Sequence, residues 1–435
     1  MSEQQLPVVV IGAGPVGLAA AARLRERGLE PLVLERGDAV ASNVVNWSHV
    51  RVFSPWSFNI DDAARRLLER RGWAAPDPEL PPTGGELVDH YLRPLAATPE
   101  LSSRIRLGAR ATQVTRAGFD KMKTDGREHA PFQVLVETAA GQERILARAV
   151  LDASGTYATP NPLGAGGVEA LGERSLAHRI EYRIPDVLDA DRARYAGRRV
   201  LVVGSGHSAF NAIRDLAELQ QDAPDTHIVW AVRRPKLADV FGGGENDQLA
   251  ERGRLGTLIQ RLVDRAALRV ITSFAADRLK AVDGGIVAAA GGRELGPFDE
   301  LIAVTGYRPD LDIVRELRLG LDSSLESPTK LAPLIDPNIH SCGSVPPHGA
   351  PELAHPEPGF YIVGMKSYGR APTFLLRTGY EQVRSVAAAL TGDTEAAERV
   401  ELALPKTGVR KLDSRSRDGS CSAPLSEPVA AGAAA

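Results

Sequence analysis

Val8-Val9-Val10-Ile11 runs directly into Gly12-Ala13-Gly14-Pro15-Val16-Gly17, and no other feature narrows the possible folds as much. An unbroken β-branched run suits a parallel strand covered on both faces. In the turn that follows, the first glycine permits a tight reversal, the second a close approach to a pyrophosphate, the third helix–strand packing. Leu18 to Glu26, rich in alanine and arginine, reads as the next helix, ending at Gly28. Its N-terminus would attract phosphate. A second strand, Pro31 to Leu34, ends in Glu35, placed to accept hydrogen bonds from a ribose 2′-hydroxyl, with Arg36 beside it as a further nucleotide contact. A turn without a ligand would not need strand, helix and acid together.

About 190 residues later the pattern returns. Arg199 to Val203 feeds Gly204-Ser205-Gly206-His207-Ser208-Ala209, then a helix to about Leu219 and a strand from His227 to Val232. Ala209 stands where the third glycine would be. This strand ends in Arg233-Arg234, and a guanidinium there is the usual partner of an adenosine 2′-phosphate. A solvated strand end is the plainer alternative. Opposite ribose partners imply two nucleotides in one chain: FAD at the first turn, exchangeable NADPH at the second, with hydride passed between them. The fold class expected is α/β with two Rossmann-like dinucleotide-binding domains.

Composition agrees. The 435 residues suffice for two or three domains, and 43% hydrophobic with 25% charged residues excludes wholesale disorder and coiled coil. A formal charge of −3 offers no basic field for nucleic acid or acidic lipid. Cys342 and Cys421 are too few for a disulfide framework, and the start MSEQQ lacks the basic residues of a signal peptide, so a cytoplasmic protein is expected. Residues 6–22 are uncharged and mostly apolar, but Pro7, Gly12, Gly14, Pro15 and Gly17 interrupt them, and a membrane span needs about 20 residues. No membrane association is expected.

Further motifs resemble a known group. Asp152-Ala153-Ser154-Gly155-Thr156-Tyr157 with Pro160-Asn161-Pro162, and Ala303-Val304-Thr305-Gly306-Tyr307-Arg308-Pro309-Asp310, resemble the two interdomain crossovers of flavin-containing monooxygenase-type flavoproteins, relatives of thioredoxin reductase. Pro82-Thr83, Glu86 and Tyr91-Leu92 are similar to the segment before the first crossover. Gly359 to Gly364, followed by Phe374 to Val386, is similar to the closing flavin strand and helix. More narrowly, His340 to Gly343 and Gly364 to Pro372 resemble flavoproteins often encoded in bacterial arsenic-resistance clusters. The resemblance implies an NADPH domain inserted into the FAD domain. The boundaries would be 1–162 for the first FAD part, 163–308 for NADPH, and 309–405 for the returning FAD part. Residues 406–435, without aromatics, read as a disordered tail.

It also implies cofactor contacts at Gly155, Thr305, Gly306, Gly364, Lys366, Tyr368 and Thr373, the last few lying before a helix N-terminus aimed at the flavin's pyrimidine edge. Along the flavin would run the segment from Trp47 to Asn59, where Arg51 and Ser54 are the catalytic candidates and Trp56 a pocket wall; ordinary core packing is the alternative. His178 is the third candidate. Three residues separate it from Tyr182, as in the monooxygenase pattern FxGxxxHxxx(Y/W), although five residues separate it from Leu171-Gly172, which departs from that pattern's front half. The CxxC pair of thioredoxin reductases is absent, and Met365 replaces the aspartate that follows their closing glycine.

Two charged or glycine-rich segments, 118–131 and 241–256, read either as lids or as solvated loops. His340, Cys342, His348 and His355 match no zinc spacing, so no metal is expected. The leading reading is an NADPH-dependent flavin monooxygenase acting with dioxygen on a small soft nucleophile, with a reductase or oxidase, or a flavin-bound sensor, as the other readings. A homodimer is left open.

Overall fold

The computed structural model describes residues 6–237, 240–242, 244, 247, 249–339, 345–372 and 374–402. Thr373, His340, Cys342, Cys421 and the tail at 406–435 lie outside the described residues.

Two five-stranded parallel sheets dominate. The first joins β1 (Val8–Ile11), β2 (Pro31–Leu34), β3 (Ile105–Arg106), β7 (Ala149–Asp152) and β16 (Phe360–Ile362) in the order β16-β7-β1-β2-β3. The second joins β8 (Ile180–Glu181), β9 (Arg199–Val203), β10 (His227–Ala231), β11 (Arg269–Ile271) and β15 (Glu300–Ala303) in the order β11-β10-β9-β15-β8. Each sheet carries a three-stranded antiparallel annex just before the strand that leads into its crossover, β7 or β15. In the first these are β4 (Arg110–Arg116), β5 (Phe132–Thr138) and β6 (Gly141–Ala147); in the second, β12 (Arg278–Val282), β13 (Gly285–Ala290) and β14 (Arg293–Phe298). The second sheet lies wholly between β7 and β16 in sequence, so one Rossmann-like domain is inserted into the other.

Every residue of β1 and β7 is buried, as unbroken apolar strands covered on both faces should be. The helix α1 (Pro15–Glu26) presents Ala19, Ala20, Ala21 and Ala22, all buried, to the apolar core it shares with Val383 and Val386 of the closing helix. Small side chains let two helices approach closely. In the inserted domain, α2 (His207–Asp222) buries Phe210, Ile213, Leu216 and Leu219 against β9 and β10.

Two expectations change. The segment 241–256 is not all loop: from Ala250 it is the helix α3 (Ala250–Asp264). Its Gly253 and Gly256 are contact points, since a Cβ would stand 2.1 Å from Gly244 O and 2.0 Å from Phe241 O. Glycine that reads as a breaker in sequence here admits backbone against backbone. The charged segment 118–131 is pinned. Arg127 is buried and donates to Glu357 Oε2 at 2.8 Å and to Glu316 O at 2.9 Å, while Arg318 donates to Lys121 O and to Thr124 Oγ1. Those bonds hold it against the returning chain and leave it no freedom to swing as a lid.

Candidate functional site

At the first turn, backbone geometry explains each glycine. Gly12 has φ +99°, and a Cβ there would sit 2.9 Å from Ala153 O; at Gly17 it would sit 1.9 Å from Gly12 O. Around Gly14 nothing lies within 4 Å. Gly14 is the N-cap of α1, and no side chain caps it. The result is an open cradle of backbone N–H groups at the positive end of a twelve-residue helix. At the end of β2, buried Glu35 accepts from Ala13 N (2.8 Å), Gly37 N (2.9 Å) and Ser42 Oγ (2.8 Å). Those three donors fix the carboxylate beside the cradle, where a 2′-phosphate would meet its charge. Arg36 is exposed and donates to Asn43 Oδ1 at 3.0 Å.

The second turn repeats this arrangement with the opposite sign. A Cβ at Gly204 would stand 2.4 Å from Val304 O, whereas Gly206, the uncapped N-cap of α2, has nothing within 4 Å. Ser205 and Ser208 flank it half-buried, and Ala209 is fully buried where the third glycine would be. Arg233 and Arg234 are exposed just past β10, and Arg233 Nη1 donates to Ala165 O at 2.8 Å. The chemistry of the two donor sets fits an adenine dinucleotide with a free 2′-hydroxyl at the first turn and one with a 2′-phosphate at the second.

The two domains touch at the second turn. The His207 ring, first in α2, packs edge-on against Phe53 at 5.1 Å and Phe210 at 6.1 Å. Burial pushes its pKa down to about 4, so a neutral imidazole occupies the helix N-terminus at pH 7. The crossovers are tied as well. Asn161 N donates to Gly306 O (2.9 Å), Arg308 N to Thr159 O (3.0 Å), and Thr305 Oγ1 lies 3.0 Å from both Asn161 O and Pro162 O. Gly155 (φ +70°) opens onto free space. Tyr157 and Tyr307, one from each crossover, stack with centroids 5.6 Å apart and planes 23° apart.

The segment after β16 is held from below. Gly364 N donates to Gln382 Oε1 (2.7 Å), and Gln382 Nε2 donates to Ser367 Oγ (2.9 Å) and His348 Nε2 (2.9 Å). Gln382 belongs to α4 (Leu376–Leu390). Burial pushes the His348 pKa down, which suits an imidazole that donates from Nδ1 to Pro346 O and accepts at Nε2. Lys366 Nζ donates to Asp152 Oδ2 and, at 3.0 Å, to Ser154 Oγ. Tyr368 is buried, its ring 5.1 Å from Phe374, and burial pushes its hydroxyl pKa well up. Lys366 and Tyr368 therefore support this segment from within, and do not present their polar groups to open space.

The three catalytic candidates do not converge. Arg51 is exposed and donates to Pro81 O beside Glu86. Ser54 is buried, but its Oγ donates to Asn59 Oδ1 at 2.8 Å while Asn59 Nδ2 returns a bond to Ser54 O. The hydroxyl closes its own turn. His178 is exposed on a short 3-10 turn, Arg174–Arg179. The group organising that stretch is Glu173, fully buried, which accepts from Leu163 N, Gly164 N, Ala170 N and Tyr182 Oη between 2.7 and 3.1 Å. Glu173 escapes sequence reasoning, as do the bonding roles of Asp152 and Gln382 within their motifs; only a polar residue inside an apolar stretch hints at the last two. Among the described residues no group of His, Cys, Asp and Glu is arranged to hold a metal, and no helix is long and apolar enough to cross a membrane.

The profile of the family described as pyridine nucleotide-disulphide oxidoreductase matches residues 9–338. The chain is 25% identical over 263 residues to flavin-containing monooxygenase FMO GS-OX-like 2 of Arabidopsis thaliana, covering 55% of this chain and 52% of that one. It is 30% identical over 210 residues to indole-3-pyruvate monooxygenase YUCCA1 of Oryza sativa subsp. japonica, covering 48% and 44%. It thus spans about half the length of these curated relatives. In fold it is similar to the bacillithiol disulfide reductase Bdr of Bacillus cereus, with TM-score 0.62, 19% identity and coverage of 89% and 99%. It is likewise similar to a flavin-containing monooxygenase of Stenotrophomonas maltophilia, with TM-score 0.55, 20% identity and coverage of 89% and 98%.

Proposed function

The chain belongs to the pyridine nucleotide-disulphide oxidoreductase family, an oxidoreductase with FAD and NADPH as cofactors, and on that premise we propose that it is a monooxygenase. It places one atom of dioxygen on a small soft nucleophile: a sulfur or nitrogen compound, or a trivalent arsenical. The observation carrying this reading is that two nucleotide cradles of opposite charge preference are each backed by one of two tied crossovers, in a chain whose sequence has no CxxC pair. The absence of that pair counts against a member that relays electrons through a CxxC disulfide. The monooxygenases among the partial curated relatives support the same choice.

The first cradle, Glu35 and the N-terminus of α1 would hold FAD; Gly206, Arg233 and Arg234 would hold NADPH. FAD, when bound, supplies the hydride acceptor and the oxygen chemistry. The protein's part is positioning and exclusion of water. Phe53 packed on His207 closes the seam between the domains, and the Gln382 and Lys366 bonds hold the Gly364 segment in one conformation. No nucleophilic side chain is required.

The test is anaerobic reduction with NADPH, then mixing with oxygenated buffer in a stopped-flow spectrometer. A monooxygenase returns to the oxidised spectrum in two resolved steps, the second hastened by a soft nucleophile. Return in a single step, with hydrogen peroxide matching the NADPH consumed, overturns the proposal in favour of an oxidase or reductase.

A further inference from the structure

Parallel α/β sheets bind ligands beyond the carboxyl ends of their strands, on both sides of the point where strand order reverses. In the second sheet that point lies at β9. Arg233, after β10, marks the adenosine side. On the other side of β9 come β15 and then the edge strand β8, parallel to it with Ile180 opposite Leu301 and Glu181 opposite Ile302. Two residues beyond β8 stands Arg183, on the nicotinamide side of the cleft.

Its surroundings lack an acid partner. The Arg183 guanidinium lies over the face of Tyr157, 4.9 Å from the centroid, and Tyr157 is in turn stacked on Tyr307. Arg183 Nε is buried without a hydrogen-bond partner, and no carboxylate among the described residues pairs with the guanidinium. Glu181 accepts from the backbone N of Arg183 at 3.0 Å, and its carboxylate stands 3.7 Å from Arg194. A buried guanidinium donor left unpaired costs free energy, and its planar fork matches an oxyanion. The paired tyrosines beside it form a flat wall spanning both crossovers.

We propose that Arg183 is an oxyanion receptor at the reacting end of the cleft, with the Tyr157–Tyr307 stack as the wall on which the rest of the ligand lies. The oxyanion is either a carboxylate of an organic substrate or the nicotinamide-side phosphate of NADPH. The proposal rests on the oxidoreductase reading above only for where the nicotinamide lies.

The FAD-loaded chain is titrated with benzoate and, separately, with NADP⁺ by isothermal calorimetry, in wild type, Arg183→Met and Arg183→Lys. A Kd for benzoate raised about tenfold or more in Arg183→Met, with partial recovery in Arg183→Lys and NADP⁺ unchanged, supports the carboxylate source. The same loss for NADP⁺ with benzoate unaffected supports the phosphate source. If Arg183→Met does not retain FAD, Arg183→Lys is read alone, with a loss of about threefold or more in either titration expected because an ammonium cannot reproduce the fork. Both ligands binding every FAD-retaining variant as they bind wild type, or benzoate failing to bind wild type while NADP⁺ binding is indifferent to residue 183, overturns the proposal. Neither titration requires turnover, so single-step reoxidation in the oxygen-mixing test would leave this outcome untouched.

Discussion

Lys366 Nζ lies 2.7 Å from Asp152 Oδ2, and neither side chain has any solvent exposure. Asp152 is the last residue of β7 and Lys366 lies two residues after Gly364, beyond β16, so one buried ion pair joins the first crossover to the returning chain. Asp152 Oδ1 meanwhile accepts from Ser154 N and Oγ, at 3.1 and 2.6 Å.

Breaking this pair from one side leaves an uncompensated buried charge. Lys366→Met should therefore cost about 3–5 kcal/mol of folding stability, while the double variant Lys366→Met/Asp152→Leu should regain much of it. Urea unfolding of wild type, both single variants and the double variant closes the cycle. Additive losses would mean that the two groups act independently.

The first turn offers a contrast between neighbouring glycines. Gly14 has φ −79° and empty space around its missing Cβ, so Gly14→Val should fold with near-native stability yet raise the FAD Kd at least about a hundredfold by filling the cradle. Gly17→Ala should do the opposite kind of damage. Its Cβ would stand 1.9 Å from Gly12 O, and about 3 kcal/mol or more of stability should be lost. Thermal unfolding of the FAD-free chains and flavin titration separate the two effects; equal destabilisation by both would contradict the open cradle.

Coenzyme preference should reside past β10. Among the described residues neither Arg233 nor Arg234 has a salt-bridge partner, and both are exposed. Replacing the productive one by alanine should raise KM for NADPH about ten- to a hundredfold and leave KM for NADH nearly unchanged. Arg233 is the first choice, its guanidinium already anchored on Ala165 O. Flavin reduction by both coenzymes is the measurement, and undiminished NADPH preference in the double variant would place phosphate recognition elsewhere.

Acid should destabilise the fold through buried histidines. Burial lowers His355 and His207 from 6.5 to about 4. Between those values the unfolded chain binds more protons, so stability is complete above about pH 6.5 and falls as pH drops toward 4, by up to about 3 kcal/mol per histidine. His355→Phe keeps the packing against Phe360, loses the bond to Gly320 O, and should flatten the pH dependence of the urea midpoint. An unchanged slope would show that His355 is not the titrating group.

What was legible in the sequence was local. Strand, glycine turn and helix follow one another within about twenty residues at each nucleotide site, and Glu35 and Arg233 sit where the second strand of each unit stops. What was hidden depends on chain closure. Nothing near Lys366 names Asp152 as its partner, and the charges of 118–131 read as solvated because Glu357 is 230 residues beyond Arg127. His178 drew notice through its spacing to Tyr182, whereas the buried anchor of that stretch, Glu173, collects backbone donors that no residue pattern displays. Ser54 misleads for another reason: its partner Asn59 is close in sequence, but a hydroxyl closing a turn and a hydroxyl facing a ligand look alike in one dimension.

Insertion of one sheet inside another has a consequence for synthesis. Strand β7 cannot acquire its neighbour β16 until roughly 200 further residues have been made, a wait of about 10–40 s at typical elongation rates. Throughout that interval the nascent first sheet carries a bare apolar edge at Val150 and Leu151, open to mispairing. The inserted unit, with its own sheet and core, can complete itself while still attached to the ribosome, and in doing so it brings Pro160 and Tyr307 together. That closure delivers the returning chain beside the edge that waits for it. The order of birth, inner unit before outer, is thus written into the connectivity, and a fragment ending before Phe360 should aggregate where the inserted unit alone remains in solution.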